Sequence, residues 1–451
     1  MKPSTDPWEM NGLTIVDVSI HDIRFPTSDY LGGSDAMNTA PDYSASYVQL
    51  STDREGLFGC GFTFTIGRGT EIVTRMVEQL ARDLVGRRID DMVRFMAELL
   101  QEVTQDSFLR WLGPEKGVTH LAAAAVLNAT WDLWARARGL PLWRLLVELD
   151  PEDLVKCLAL RYLEDVLTPE EAVAMLQRRR RGHEERIRHL AENGYPGYTT
   201  SAGWLGYSDA QVQHLVEKAI DEGWSAFKIK VGRDLDDDLR RARIVRRLIG
   251  EERHLMVDAN QVWEVPQAIE WVNALSEIGL HWIEEPTCPD DILGHAVIAR
   301  AVAPVLVATG EHAHNRVMFK QFLSSGAIGV CQIDICRMAS VNENISVLLM
   351  AEKFDVPVCP HAGGVGLCEL VQHLSMFDYI AVSGSLENRW IEYVEHLHEM
   401  FVDPVRIKNG SYLLPEAPGF SSEMSPEAIA AYAYPTGTVW RARAAAQARR
   451  R

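Results

Sequence analysis

Residues 255–286 read LMVDANQVWEVPQAIEWVNALSEIGLHWIEEP: two short apolar runs, one closing on Asp258 and the other on Glu284 and Glu285. The same texture recurs throughout the chain after Gly194. Apolar runs come round at Tyr198, Phe227, Leu255, His281, Val305, Val330, Val356 and Tyr379, spaced 23 to 29 residues apart. Most intervals hold one amphipathic helix, as at Asp209 to Glu222 and Val341 to Phe354. Strands alternating with helices at this pitch predict βαβ units, and eight of them over roughly 200 residues predict a closed α/β barrel. Chemistry in such a barrel belongs at the C-terminal ends of its strands. Titratable side chains close the runs in phase: Lys228 and Lys230, then Asp258, Glu284, Glu311, Asp334 and His361.

Asp258, Glu284 and Glu311 stand 26 and then 27 residues apart, on three consecutive strands. Three carboxylates converging in a desolvated mouth need a cation to stay ionised together. An all-oxygen donor set favours Mg²⁺ over zinc or copper. Lys228 and Lys230 alternate with Ile229 and so share one side of their strand. Two neighbouring ammonium groups depress each other's pKa, which suits one of them to act as a neutral base. His361 ends the seventh strand, and Asp334, one strand earlier, is placed to fix its tautomer. His254 and His281 begin strands and are assigned no chemistry.

The first third of the chain has a different texture. Strand-like segments at Thr14 to Phe25, Ser46 to Leu50 and Leu57 to Thr65 surround a Gly- and Asp-rich loop. Helical periodicity follows from Thr70 to Leu84 and from Val118 to Val147, giving an α+β unit. A formal net charge of −18 argues against nucleic acid as a partner. The most apolar long run, Leu121 to Trp134, is interrupted by Asn128 and Asp132 and reads as a buried helix, so no membrane partner is expected. The N-terminus lacks a secretory pattern, and the seven cysteines are odd in number without a CxxC pair. A reducing, cytoplasmic setting is therefore expected. The five arginines between Arg441 and Arg451 read as a frayed tail.

The set of strand-two lysines, Asp/Glu/Glu on strands three to five and an Asp–His dyad on strands six and seven resembles the enolase superfamily, in its mandelate-racemase-like subgroup. Longer stretches are similar to the L-fuconate dehydratase family nearly end to end. They are DAMNTAPDYS (35–44), RWLGPEKGVTHLA (110–122), YTTSAGWLGYSD (198–209), EEPTCPDDILGHA (284–296), PHAGGVGLCELVQHL (360–374) and EHLHEMFVDP (395–404). The resemblance implies a (β/α)7β barrel with an α+β capping domain. It places the cap at residues 1–152, the barrel at 153–399 and a segment returning to the cap at 400–451.

The resemblance also implies roles. Asp258, Glu284 and Glu311 would ligate Mg²⁺, and Lys230 would take the C2 proton of an acid sugar. His361, oriented by Asp334, would help the C3 hydroxyl leave and later protonate C3. Lys228 and Asn260 would face the substrate carboxylate, beside Glu311 and His361. Gly33, Ser34, Asp35 and Tyr43 would close over the distal end, and Glu392, after strand eight, would meet a sugar hydroxyl. Ala362 and Gly363 complete the contacts. The implied reaction is a hydro-lyase step on L-fuconate, with a galactonate- or arabinonate-like acid, a racemase or epimerase, and a non-catalytic binding protein as alternatives. A symmetric homo-oligomer is expected. Two departures from the family are visible: Val262 where the family reads Arg in DANQRW, and His312-Ala313-His314 after Glu311.

Overall fold

Three antiparallel strands form the first sheet of the computed structural model, which describes residues 6–10, 12–113 and 115–450. They are β1 (Ile15–Arg24), β2 (Ser44–Thr52) and β3 (Phe58–Thr65), in that order, with Ile20 opposite Val48 and Tyr47 opposite Phe62. Helix α1 (Thr70–Arg82) turns a stripe of Val73, Val77, Leu80 and Ala81 inward. Helix α2 (Gly117–Arg138) lies against β3 at close range. A Cβ on Gly61 would stand 2.3 Å from the Ala125 carbonyl oxygen, and one on Gly59 2.3 Å from that of Ala129. Small residues on both elements make that approach sterically accessible.

The polar residues that interrupt α2 fasten it. Asp132 is fully buried and accepts from the Cys60 N–H at 2.7 Å, the Phe420 N–H at 2.6 Å and Arg136 Nε at 2.7 Å. Asn128 donates to the Phe62 carbonyl at 3.3 Å and accepts from Ser340 Oγ at 2.5 Å. Among the described residues no helix is long and apolar enough to cross a membrane.

The second sheet carries the repeating units. Parallel strands β4 (Tyr195–Thr199), β5 (Ala226–Lys230), β6 (His254–Asp258), β7 (Trp282–Glu284), β8 (Leu306–Thr309) and β9 (Val330–Cys331) lie side by side in sequence order. Helices α3 (Asp209–Asp221), α4 (Leu235–Ile249), α5 (Val265–Leu275), α6 (Ile292–Ala301), α7 (Arg316–Ser324) and α8 (Ser340–Lys353) follow them in turn. The seventh run contributes a single bridge from Val358 to Cys331, then extends as His361 N–H donates to the Ile333 carbonyl at 3.0 Å. Strand β10 (Ile391–Tyr393) pairs with β4 on its other side, and Glu392 N–H donates to Pro360 O at 3.5 Å.

Two expectations are corrected here. The eighth run is not a strand at Tyr379: helix α9 (Leu367–Phe377) continues through a π-helical turn at Asp378–Val382, and the strand falls at Ile391–Tyr393. Every residue from Leu367 to Val382 is buried, so this helix has no solvent-facing side, and its apolar end Tyr379–Val382 reads in sequence like an interior strand. Nor are Arg441, Arg443 and Arg449 part of a frayed tail, while Arg451 lies outside the described residues. Thr438–Arg450 is helix α10, as its alanine-rich composition favours. Trp440 Nε1 donates to the Arg24 carbonyl at 2.9 Å, and Arg443 pairs with Asp29. Nearby, Ile23 bridges Ala433, and Ser422 Oγ donates to the Cys60 carbonyl at 2.6 Å.

Candidate active site

Register alone brings the first charged groups together. Lys230 sits opposite Asp258, and Asp258 opposite Glu284, at the C-terminal ends of β5, β6 and β7. Glu311 follows β8 after Gly310, whose φ of +147° and 2.3 Å clearance to the Gln332 carbonyl admit no side chain. One oxygen from each of Asp258, Glu284 and Glu311 lies within 4.8 Å of the others, and all three residues are buried.

The donor set fits a hard divalent cation, and its electrostatics call for one. Burial pushes the Glu284 carboxyl up to about 8; Lys228 works against this, and the charges of Asp258, Glu392 and Glu311 add to it. Glu284 Oε1 accepts from Lys228 Nζ at 2.5 Å, while Oε2 accepts from Gln332 Nε2 at 2.7 Å and Trp282 Nε1 at 3.2 Å. Asp258 Oδ1 is held by the Asn260 N–H at 2.9 Å.

Both lysines are buried, and both are cationic. Lys228 Nζ touches Glu284, Glu392 Oε1 at 2.8 Å and the Tyr198 hydroxyl at 3.4 Å, and lies 3.7 Å from Asp258. Lys230 Nζ lies 2.5 Å from Asp258 Oδ2. Burial alone would lower the Lys230 pKa, but Asp258, Asp35 and Glu311 together outweigh it and the repulsion from Lys228, so the ammonium is held above its ordinary range. Lys–Lys repulsion, the effect expected from the alternating lysines, is the smaller influence while Asp258 carries its full charge.

His361 Nδ1 bonds Asp334 Oδ2 at 2.7 Å, and Nε2 faces Glu311 Oε2 at 3.6 Å and Glu392 Oε2 at 4.0 Å. Burial disfavours the imidazolium, but Glu311 and Asp334 favour it more and raise the pKa to about 9. Asp334 is itself fixed by the Cys336 and Arg337 N–H groups at 2.7 and 2.8 Å. A Cβ on Gly363 would come within 2.9 Å of His361 Nε2, so the glycine gives the ring its space.

Lys230, Asn260, Glu311, His361, Gly363 and Glu392 line one cavity of about 380 Å³ together with Gly33, Asp35 and Tyr43 from the β1–β2 loop. Gly33 has φ +73°, and a Cβ there would fall 2.1 Å from the Tyr43 hydroxyl, so the ring depends on it. Asp35 Oδ1 accepts from the Met37 and Asn38 N–H groups at 2.7 and 2.5 Å. Ser34 is buried with its hydroxyl on the Thr39 carbonyl at 3.3 Å. Ser34, Lys228, Asp258, Glu284, Asp334 and Ala362 stand outside the cavity lining. Glu392 lies in β10 itself, where Oε2 accepts the Ala362 N–H at 2.9 Å.

Several groups had no role in the sequence reading. Gln332 and Trp282 hold Glu284; Arg68 and Arg337 line the cavity; and Gln261, Glu285 and His312 form a cluster beside Glu311. Gln332 directly follows β9, near the strand ends where the acids stand, a position that marks it out. The others carry no periodic signal.

Residues 34–147 match the mandelate racemase / muconate lactonizing enzyme N-terminal domain family, and residues 211–428 match the enolase C-terminal domain-like family. Human mitochondrial enolase superfamily member 1 is 55% identical over 427 residues, covering 94% of this chain and 96% of that protein. The chain belongs to the enolase superfamily. The crystal structure of that human superfamily member superposes with a TM-score of 0.95 at 54% identity, covering 96% of this chain and 99% of that one. A second superfamily relative, L-galactonate dehydratase from Hypocrea jecorina, is 49% identical over 438 residues, 96% of this chain and 97% of that protein. L-talarate/galactarate dehydratase from Salmonella typhimurium LT2, solved with Mg and L-lyxarohydroxamate, shares the superfamily fold at TM-score 0.73 and 23% identity, over 95% of this chain and 94% of that one.

Proposed function

We propose that this protein is a Mg²⁺-dependent acid-sugar dehydratase that converts L-fuconate to its 2-keto-3-deoxy acid, and that the strand circuit from β10 through β4–β9 to residues 357–361 is a closed (β/α)7β barrel. The observation that carries the reading is the meeting of Lys230, His361 and the Glu311 carboxylate in one cavity. Asp258, Glu284 and Glu311 would hold the cation. Bound there, it supplies charge that offsets the carboxylates and the negative charge building on the substrate's own carboxylate.

The chain's residues divide the remaining work. Lys230 lines the cavity and, once the charge of Asp258 is offset, feels the neighbouring Lys228 ammonium; its neutral amine then removes the C2 proton. Lys228, locked by Glu284 and Glu392, stays charged behind it. His361 holds a proton at neutral pH and delivers it from Nε2 to the departing C3 hydroxyl, while Asp334 fixes the ring through Nδ1. Asn260 and Lys228 favour the carboxylate end, and Gly33, Ser34, Asp35 and Tyr43 shape the distal end. The hydroxyl leaves as water, and His361 is reprotonated from solvent. The enol left behind then takes up a proton at C3 from His361 and gives up its C2 hydroxyl proton to solvent, leaving the 2-keto group.

L-galactonate is a second substrate reading, supported by the dehydratase of that name among the relatives. L-fuconate is 6-deoxy-L-galactonate, so both acids present the same C2 and C3 centres and differ only at C6. Phe64, Ile66, Val73 and Leu121 give the cavity an apolar stretch suited to a methyl end, whereas Asn38 and Arg68 offer hydrogen bonds to a hydroxymethyl.

The test is turnover of an acid-sugar panel with Mg²⁺, with C2 hydrogen exchange followed in deuterated water. L-fuconate is expected to react best and L-galactonate next. Lys230→Ala should lose both exchange and water loss, and His361→Asn only water loss. Absence of exchange with every acid, in protein shown to bind Mg²⁺, would refute the dehydratase reading.

A further inference from the structure

Beside the three carboxylates lies a group of polar side chains that the reaction above leaves without a task. Glu285, the residue after Glu284, is fully buried. Its Oε1 accepts from His312 Nδ1 at 2.8 Å and from Gln261 Nε2 at 2.8 Å, while Oε2 has no hydrogen-bond partner among the described residues. His312 Nδ1 also stands 3.3 Å from Glu311 Oε1 and 2.7 Å from Gln261 Nε2. One ring nitrogen thus meets the segments that follow β6, β7 and β8, next to the strand-end Asp258 and Glu284 and to Glu311.

The backbone at these turns needs such a clasp. Gln261 has φ 68° and Glu285 φ 46°, left-handed values that non-glycine residues keep only where their surroundings over-determine them. The Gln261 N–H donates to the Glu285 carbonyl at 2.8 Å, so the two strained residues are joined through main chain and side chain alike. His312 is one-third exposed, with its side chain at 34%.

We propose that His312 is a positioning residue for the cation-binding carboxylates. Its Nδ1–H donates to Glu285 and stands beside the Glu311 carboxylate, so it ties the Glu285–Gln261 pair, which adjoins Glu284 and follows Asp258, to Glu311. Outer hydrogen bonds of this kind orient ligating carboxylates and set cation affinity without touching the ion. The inference rests on reading Asp258, Glu284 and Glu311 as a cation site.

Metal-free full-length protein is titrated with Mn²⁺, and the free ion is followed by electron paramagnetic resonance, for the wild type, His312→Ala and His312→Gln. Glutamine keeps a side-chain donor where alanine has none. The expected result is one ion per chain in all three, with the dissociation constant raised about 10- to 100-fold by alanine and within about 3-fold of wild type for glutamine. Metal-free melting temperatures should stay alike, and at saturating cation the alanine variant should recover kcat to within about 10-fold of wild type, the scale of the affinity effect being removed by mass action. Unchanged affinity in His312→Ala, or equal weakening by both variants, would overturn the positioning role. Two ions in the wild type and one in His312→Ala would also overturn it, making His312 a ligand. No saturable binding by the wild type would overturn the cation site and this inference together.

Discussion

At the scale of single residues, the site works by denying its side chains freedom. His361 is held from one side by Asp334, which two backbone N–H groups hold in turn. Its other face is open because residue 363 has no side chain, and a Cβ there would meet Nε2 at 2.9 Å. Gly363→Ala should therefore move the ring without unfolding the protein. A displacement of this size costs up to roughly 100-fold in rate, so kcat should fall about 10- to 100-fold while KM changes little. Steady-state kinetics beside a thermal melt separates this from simple destabilisation. The positions of Lys230, Asp258, Glu284, Glu311, Asp334 and His361 were legible because a barrel puts chemistry at one phase of every repeat. Their charge states were not: Asp258 reaches Lys230 across strands, and only geometry reveals that its attraction exceeds the repulsion of Lys228. His312, Gln261 and Glu285 escaped for the same reason, since three separate turns assemble them.

At the scale of elements, legibility followed the spacing of polar residues and not burial. Helix α3 keeps an exposed face, and strands β5 to β8 are short apolar runs with titratable residues at or just past their ends. Helix α8 was readable from Asn342, Glu343 and Asn344 although Ser340 to Ala351 are buried. The strand expected at Tyr379 was really the π-helical end of α9, an apolar run of four residues that a strand and a buried helix share. Contact between α2 and β3 shows the opposite case, a packing decided by residues too small to register as a pattern. Gly61→Ala would drive a methyl to 2.3 Å from the Ala125 carbonyl oxygen and the Ala129 nitrogen, both main-chain atoms with little room to give. Overpacking of this kind costs about 1–3 kcal/mol. Urea unfolding should show a lowered midpoint with an unchanged slope.

At the scale of the whole molecule, two linked equilibria are measurable. Burial pushes the His373 imidazole from 6.5 down to about 3. The neutral ring accepts from the Trp143 N–H at 3.3 Å through Nδ1 and meets Ser421 Oγ at 3.1 Å through Nε2. As pH falls below 6.5 the unfolded chain binds this proton first, so stability is fully present above 6.5 and drains down to about 3, at roughly 1.4 kcal/mol per pH unit. His373→Gln should remove that share of the acid slope in urea unfolding measured from pH 7 to 4. A cation bound only by the folded chain should stabilise it by about 2.7 kcal/mol at one hundred times its dissociation constant. With an unfolding entropy of about 2.1 cal/mol/K per residue over 451 residues, the melting temperature should rise by about 3 °C and return when a chelator is added.

The seating of the C-terminal segment on the first sheet carries a consequence for how the chain is made. Ile23 pairs with Ala433, the Cys60 carbonyl waits for Ser422, and the buried Asp132 waits for the Phe420 N–H. Strands near residues 23 and 60 are thus completed by residues made some 360 to 410 positions later. Until those are synthesised, the Cys60 N–H and Arg136 can hold one oxygen of Asp132 while the other still lacks the Phe420 N–H. A chain halted at residue 410 would keep every strand-end side chain of the candidate site and still lack the partners that complete its first sheet.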